Sequence, residues 1–379
     1  MNKASGNAIV GRLTNNRENN NNSNATNTRI VIIELDLMRQ VNYFREQVPA
    51  FERLLQNVVI DDISNDSYCK KYLSHLLFHK RYYLLIYADM LSKLIANSSL
   101  IPKAISVIDY GAGNGLLGMF AKHCGFDKVW INDIDEKFII AAKVLAAQLD
   151  INIDGFILGD ILAVQNYLKD DTPTAITGAD VIEHIYDLRH FFHTLKEINP
   201  AVISVFSTGS NPVNFLKVRQ LKKLHIKDEL QGGKPRDNIL FGHEPIGPYL
   251  KIREQMIREY PNTFSEEEII ELSKATRGLD RNDIRSSVKE FINNGKWPVP
   301  ADKTNTCNPY SGSWTERILS FQDYRSTYNT EGFTCDIYPG FYNAYQPGKN
   351  NFVKKLLNAI ITITGNKISP YIVIVGNKN

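Results

Sequence analysis

The chain has 379 residues, 43% of them hydrophobic and 22% charged, the balance of an ordinary soluble globular protein with room for two domains or one domain with insertions. A formal net charge of +3 excludes the strongly basic surface that nucleic-acid binding usually needs, and no nucleic-acid partner is expected. No run of about 18 apolar residues occurs, so no transmembrane segment is expected. The N-terminus shows no apolar signal-peptide core. The four scattered cysteines Cys69, Cys124, Cys307 and Cys335 form neither a metal-binding pair nor a disulfide framework, which fits a reducing, cytoplasmic setting.

Taken in chain order, residues 14–28 ("TNNRENNNNSNATNT") are asparagine-rich and nearly free of apolar groups. They cannot bury enough surface to offset chain entropy, so residues 1–35 are read as a disordered tail. From 36 to 100, apolar residues recur three and four apart, which predicts an N-terminal helical cap and a candidate homodimer surface. Its second half is rich in aromatics, with Tyr68, Tyr72, Phe78, Tyr82, Tyr83 and Tyr87. His75 and His79 stand four apart there, but with no third ligand nearby they are read as packing residues.

From 101 to 210 the pattern alternates. "ISVIDYG", "KVWINDI", "DGFILGDI", "TAITGADVIEH" and "AVISVFST" read as strands, separated by helical stretches. Short apolar strands alternating with helices predict an α/β protein with a parallel sheet. Residues 211–312 break the alternation with polar, Gly- and Pro-rich sequence. That is too long for a plain loop and is read as an inserted helical lid or acceptor region. Within it the basic run at 217–227 is one solvated helix face. From 313 to 379 the alternation resumes with a helix in "SFQDYRSTYNTEG", a strand in "FTCDIYPGFYNAY", an amphipathic helix at 352–364 packed on the core, and a last strand in "SPYIVIVGNK".

Ligands of open α/β sheets bind beyond the carboxyl ends of the strands. The first strand ends in Asp109-Tyr110-Gly111-Ala112-Gly113-Asn114-Gly115, with Gly118 three further on. Glycines there let the backbone approach a ligand closely. Asp133, beside Ile134 at the end of the second strand, suits a ribose diol. Asp160 at the end of the third suits an exocyclic amino group, with Ile161 over a purine face. A helix-capping role is the alternative for Asp133, Asp135 and Asp160. Successive carboxylates in this order point to a nucleoside pocket.

On these residues the chain resembles the class I S-adenosylmethionine-dependent methyltransferases. "VIDYGAGNGLLG" is similar to their glycine-rich first motif, Asp133 to their ribose-binding acid, "LGDI" to their adenine-binding segment and "ADVIEHIYDL" to the fourth motif of their small-molecule members. The resemblance covers about 101–210 and 314–379, and lacks the N-P-P-Y or D-P-P-Y of base-amino methyltransferases. It implies a Rossmann-like seven-stranded methyltransferase sheet with helices on both faces. It also implies S-adenosylmethionine as cofactor and a small-molecule or glycan-type acceptor. The implied donor-binding residues are Asp109, Gly111, Ala112, Gly113, Asp133, Ile134, Asp160, Ile161 and Asp180. A hydroxyl acceptor needs its proton removed, a task suited to His184 with Glu183 beside it. Asp180, Glu183 and His184 also resemble part of an acidic metal cluster of some quinone-precursor methyltransferases, but with two of the three adjacent no metal is expected. His243 and Trp314, with Trp297, Tyr310 and Tyr338, are candidates to line the acceptor pocket. Two other readings remain open: a nicotinamide-dependent oxidoreductase, from Gly111, Gly113 and Gly118, and a non-catalytic donor-binding module.

Overall fold

The computed structural model describes residues 42–98, 100–169, 171–232, 247–260, 264–300, 302, 304–345 and 351–378. The expected tail at 1–35 and the acceptor candidate His243 lie outside the described residues.

The N-terminal region forms helices α1 (residues 42–54), α2 (Ile60–Ile63), α3 (Ser67–Phe78) and α4 (Lys80–Ser98). The alternating region follows as β1 (Ser106–Tyr110), α5 (Leu116–His123), β2 (Lys128–Asp133), α6 (Glu136–Gln148), β3 (Gly155–Leu158), α7 (Ile161–Tyr167), β4 (Ala175–Ala179), α8 (Leu188–Ile198) and β5 (Ile203–Thr208). The insertion contributes α9 (Phe215–Leu230), α10 (Tyr249–Arg258), α11 (Glu266–Ala275) and α12 (Arg281–Asn294). The chain then returns through α13 (Phe321–Thr330), β6 (Asp336–Pro339), α14 (Asn351–Thr364) and β7 (Ile372–Gly376).

The seven strands form one sheet in the order β3-β2-β1-β4-β5-β7-β6. Neighbours from β3 to β5 pair in parallel, while β7 runs antiparallel between β5 and β6. This is the Rossmann-like methyltransferase sheet, with helices on both faces, that the resemblance implies. Its strand residues alternate between two cores, because successive side chains of a strand point to opposite faces. Val107, Val129, Ile131, Val205, Val373 and Val375 face α1, α3, α4, α5 and α6. Ile108, Trp130, Ile176, Phe206, Ile372 and Ile374 face α7, α8 and α13.

The N-terminal helices therefore cover one face of the sheet. α4 buries Leu84, Met90, Leu91, Leu94 and Ile95, each at most 1% exposed. Phe51 of α1 packs edge-on against Phe120 of α5, with centroids 5.4 Å apart. The insertion has its own small core of Tyr249, Ile252, Met256, Ile257, Ile269, Leu272, Ile284 and Val288. The fully buried Arg253 closes it, donating to the Ser273 carbonyl at 2.7 Å and pairing with Glu229. Side-chain caps fix where several helices begin: Asp187 for α8, Asn214 for α9, and full capping boxes at Ser265 and Ser320 for α11 and α13. Each such cap stabilises its helix by about 1 kcal/mol.

Three elements differ from expectation. The sixth strand stops at Pro339 and does not continue through Tyr345, because proline has no N–H for the ladder. The fourth strand ends at Ala179: Asp180 takes a φ of 53° and Ile182–His184 form a 3-10 turn. The helix expected to pack at 352–364 buries only Ile361, with Phe352 79% and Ile363 87% exposed.

Candidate active site

Strand order reverses between β1 and β4, whose parallel partners β2 and β5 lie on opposite sides. That is the switch point at which open α/β sheets form a crevice. Two loops meet there: the glycine loop after β1 and the turn Asp180–His184 after β4. Their approach is close. A Cβ on Gly111, at φ +62°, would lie 2.2 Å from Cγ2 of Val181.

The glycine loop is tied down from below and covered from above. Asp109 is 1% exposed and accepts from the Gly118 N–H at 2.7 Å, binding β1 to α5. Burial pushes its carboxyl up to about 7, against the stabilising Gly118 bond and with the nearby Asp133 charge adding to the rise. Asp133 accepts from the Gly113 N–H at 2.8 Å through one oxygen and from Asp135 N–H at 2.9 Å through the other. Burial raises its carboxyl to about 6, with those backbone N–H groups holding it down. Ala112 donates to the Asn132 carbonyl at 2.9 Å, which stitches the loop to β2.

Above the loop lies Tyr72 of α3, so that a Cβ on Gly113 would come within 2.9 Å of Cε1 of its ring. The phenol is pushed up first by burial and then by the carboxylates Asp180 and Asp133, together with Tyr83 and Tyr68. Asn114 donates to the Cys69 carbonyl at 3.4 Å, and Lys137 pairs with Asp66 at 2.9 Å, so the N-terminal end of α3 is fastened beside the glycine loop.

Ile134 is 63% exposed beside Asp133. One sequence expectation needs correcting here. Ile161 is 4% exposed in the core between α7 and the sheet, so its side chain cannot cover a purine; Leu158 and Leu162, at 47% and 41%, are the exposed apolar groups at that edge. Asp160 takes the capping role open to it from the sequence: its Oδ1 accepts from Leu162 N–H at 3.1 Å and from Ala163 N–H at 3.2 Å, and Oδ2 takes no part in the cap.

At the other end of the crevice, one ligating atom each from Glu183, His184 and Glu316 lies within 4.8 Å of the other two. Glu316 is brought in by the chain returning from the insertion. Trp314 N–H donates to the His184 carbonyl at 3.3 Å and Arg317 N–H to the Glu183 carbonyl at 3.2 Å. Glu316 itself has a φ of 45°, a conformation that side chains other than Gly, Asn or Asp rarely adopt. His184 Nδ1 lies 2.7 Å from the Trp314 carbonyl. A carbonyl only accepts, so Nδ1 carries the proton and a neutral ring keeps its lone pair on Nε2. Glu183 is fully buried, and burial together with the Asp180 and Glu316 charges holds its carboxyl well above the usual range. Asp180 reaches solvent, yet crowding by the surrounding protein pushes it up to about 6; Glu316 adds to the rise and His184 opposes it. Its Oδ1 accepts from Gly209 N–H at 3.2 Å.

The expected aromatic lining does not assemble. Trp314 is 3% exposed, its ring stacked 6.1 Å from Tyr186, with the Arg317 guanidinium 4.1 Å from its centre. With Nε1 donating to the Tyr186 carbonyl at 3.1 Å, it braces the loop and presents no face to an acceptor. Trp297 packs on Phe291, Tyr310 lies under Arg281 and Tyr338 under Lys93. Tyr72 and Glu316 were not among the site residues expected from sequence. Tyr72 lay in an ordinary helical stripe, and Glu316 carried no local motif.

No family model matches the chain, and no curated protein does. Among solved structures it is similar to magnesium protoporphyrin IX methyltransferase (ChlM) from Synechocystis PCC 6803, with 10% identity over 83% of this chain and 90% of that one, at a TM-score of 0.39. It is also similar to an S-adenosylmethionine-dependent methyltransferase from Clostridium acetobutylicum ATCC 824, with 11% identity over 82% and 99%, at a TM-score of 0.39. A third is a SAM-dependent methyltransferase from Archaeoglobus fulgidus, with 14% identity over 81% and 99%, at a TM-score of 0.38. At this level of likeness the fold stands on the strand order and register of the chain itself.

Proposed function

We propose that the protein is an S-adenosylmethionine-dependent methyltransferase that methylates a hydroxyl of a small-molecule or glycan-type acceptor. The observation that carries this reading is the crevice at the switch point. A left-handed glycine loop bound to Asp133 forms one wall, and the Glu183–His184–Glu316 cluster stands beside it. Its glycines hold a tight left-handed turn that packs directly on Val181 and Tyr72, and backbone of this kind can approach a donor closely. Asp133 is the acid for the ribose diol, Ile134 lies beside it, and Tyr72 roofs the space between that acid and Asp180.

The donor's sulfonium supplies an already activated methyl group. The protein's part is alignment of the acceptor oxygen behind that carbon, and such positioning is worth up to about 7–11 kcal/mol. As the C–O bond forms and the C–S bond breaks, the hydroxyl proton must leave. In the metal-free protein the lone pair on His184 Nε2 is the base for it.

Calorimetric titration with S-adenosylmethionine tests the reading. One site is expected, weakened at least about tenfold in Asp133→Ala, since a charged hydrogen bond contributes about 1.5–3 kcal/mol. Absence of binding by the folded protein, or an unchanged affinity in the variant, would refute it. Tight NADH binding in its place would establish the nicotinamide reading. Donor binding without turnover across a panel of hydroxyl acceptors would establish a binding module.

A further inference from the structure

The most unusual group in the crevice is Glu183. It is 0% exposed, and neither carboxylate oxygen has a hydrogen-bond partner among the described residues. Thr208 is close enough to favour its charged form, but not in hydrogen-bonding geometry. Other buried polar atoms here also lack a partner, among them Asn114 Oδ1 and Tyr324 OH, but Glu183 is the one acid in that state among the described residues, and an isolated buried carboxylate is costly. Its charged neighbours make matters worse, because Asp180 and Glu316 are also acids. A cation would answer both problems at once.

The donor set is built for one. Glu183, His184 and Glu316 offer ligating atoms within 4.8 Å of one another. The ring of His184 is oriented by its Nδ1–H bond to the Trp314 carbonyl at 2.7 Å. That leaves Nε2 as the atom with a free lone pair, an arrangement that fixes the tautomer of metal-bound histidines. Glu316 is held in place by the backbone bonds on either side of it, from Trp314 and Arg317 to the turn that carries the other two ligands. Ser210 Oγ lies 3.4 Å from its Oε2. Once an ion displaces the proton that burial favours on Glu183, two carboxylates and one neutral imidazole carry two negative charges, which match a divalent ion.

We propose that Glu183, His184 and Glu316 bind one hard divalent cation of the magnesium or manganese class. Mainly carboxylate ligation suits these ions over softer ones, and an octahedral ion held by three side chains keeps open positions. Such open positions would be available to water or to acceptor oxygens. The choice of acceptor rests on the methyltransferase reading; the cation site itself does not. With the ion bound, His184 is a ligand, and a coordinated hydroxyl gives up its proton more readily to solvent.

The test uses the full chain, stripped with a chelator and titrated with manganese chloride alone. Calorimetry and the loss of the free Mn(II) electron paramagnetic resonance signal are the readouts. One saturable site is expected, with magnesium competing for it. Glu316→Gln, on the half-buried carboxylate of the set, should weaken manganese at least tenfold while leaving the far-ultraviolet circular dichroism unchanged; Glu183→Gln should do the same. No saturable binding, or equal affinity in a folded Glu316→Gln, would overturn the proposal. Because no donor is present, that failure is distinct from a failure to bind S-adenosylmethionine.

Discussion

Replacing Gly111 with alanine probes the contact on which the crevice depends. Two costs follow from the geometry. An alanine held at φ +62° pays the left-handed penalty, roughly 1–2 kcal/mol. Its Cβ would also stand 2.2 Å from Cγ2 and 2.9 Å from Cβ of Val181, so one loop must shift; overpacking of this kind costs typically about 1–3 kcal/mol. The sum, about 2–5 kcal/mol, is a large part of the 5–15 kcal/mol that holds a typical domain folded. Urea unfolding of Gly111→Ala should show it. The double variant Gly111→Ala, Val181→Ala removes both Cγ atoms and should regain part of the loss, a favourable coupling of about 1–2 kcal/mol in a double-mutant cycle. If Gly111→Ala lies within about 0.5 kcal/mol of wild type, or the cycle shows no coupling, the two loops do not touch as described.

Acid titration offers a second check. The folded carboxyls of Asp109 and Asp133 sit at about 7 and about 6, above their ordinary value near 4, so the native state keeps protons that the unfolded chain has released. Their contribution to stability therefore falls as pH rises from about 4 to about 7. Urea midpoints across that window should drop more in wild type than in Asp109→Asn, and parallel curves would contradict the assignment. Arg253→Ala should cost about 3–5 kcal/mol, because it strands the buried Glu229; a loss under about 1 kcal/mol would mean the pair is solvated. Tyr72→Ala should weaken donor binding in calorimetry far more than Tyr72→Phe, since the ring, and not the hydroxyl, covers Gly113; equal effects would refute that.

The sheet was legible because its strands carry apolar residues on both faces, as in Val107-Ile108 and Val205-Phe206. The glycine loop and Asp133 were legible because they follow strands directly. Other features depend on contacts between distant segments. Glu316 meets Glu183 only because the chain doubles back after the insertion, a pairing no local spacing encodes. Tyr72 looked like any other member of an aromatic helical stripe until α3 was seen lying on the glycine loop. Ile161 was misplaced because a residue just after a strand end was assumed to point into the crevice, whereas it starts a helix that turns it into the core. Trp314 was misread because an indole suits an acceptor pocket and a buried brace equally well.

The return of the chain to deliver Glu316 has a consequence for synthesis. On the ribosome, α1 to α4 emerge first, then β1 through β3 with the glycine loop, and the turn bearing Glu183 and His184 follows. The acid that completes their cluster arrives only after α9 to α12 have left the exit tunnel. A nascent or truncated chain that stops short of it has one wall of the crevice and an unfinished opposite wall. The opposite wall of the crevice therefore depends on chain that lies beyond the insertion, and not on the strand turn alone.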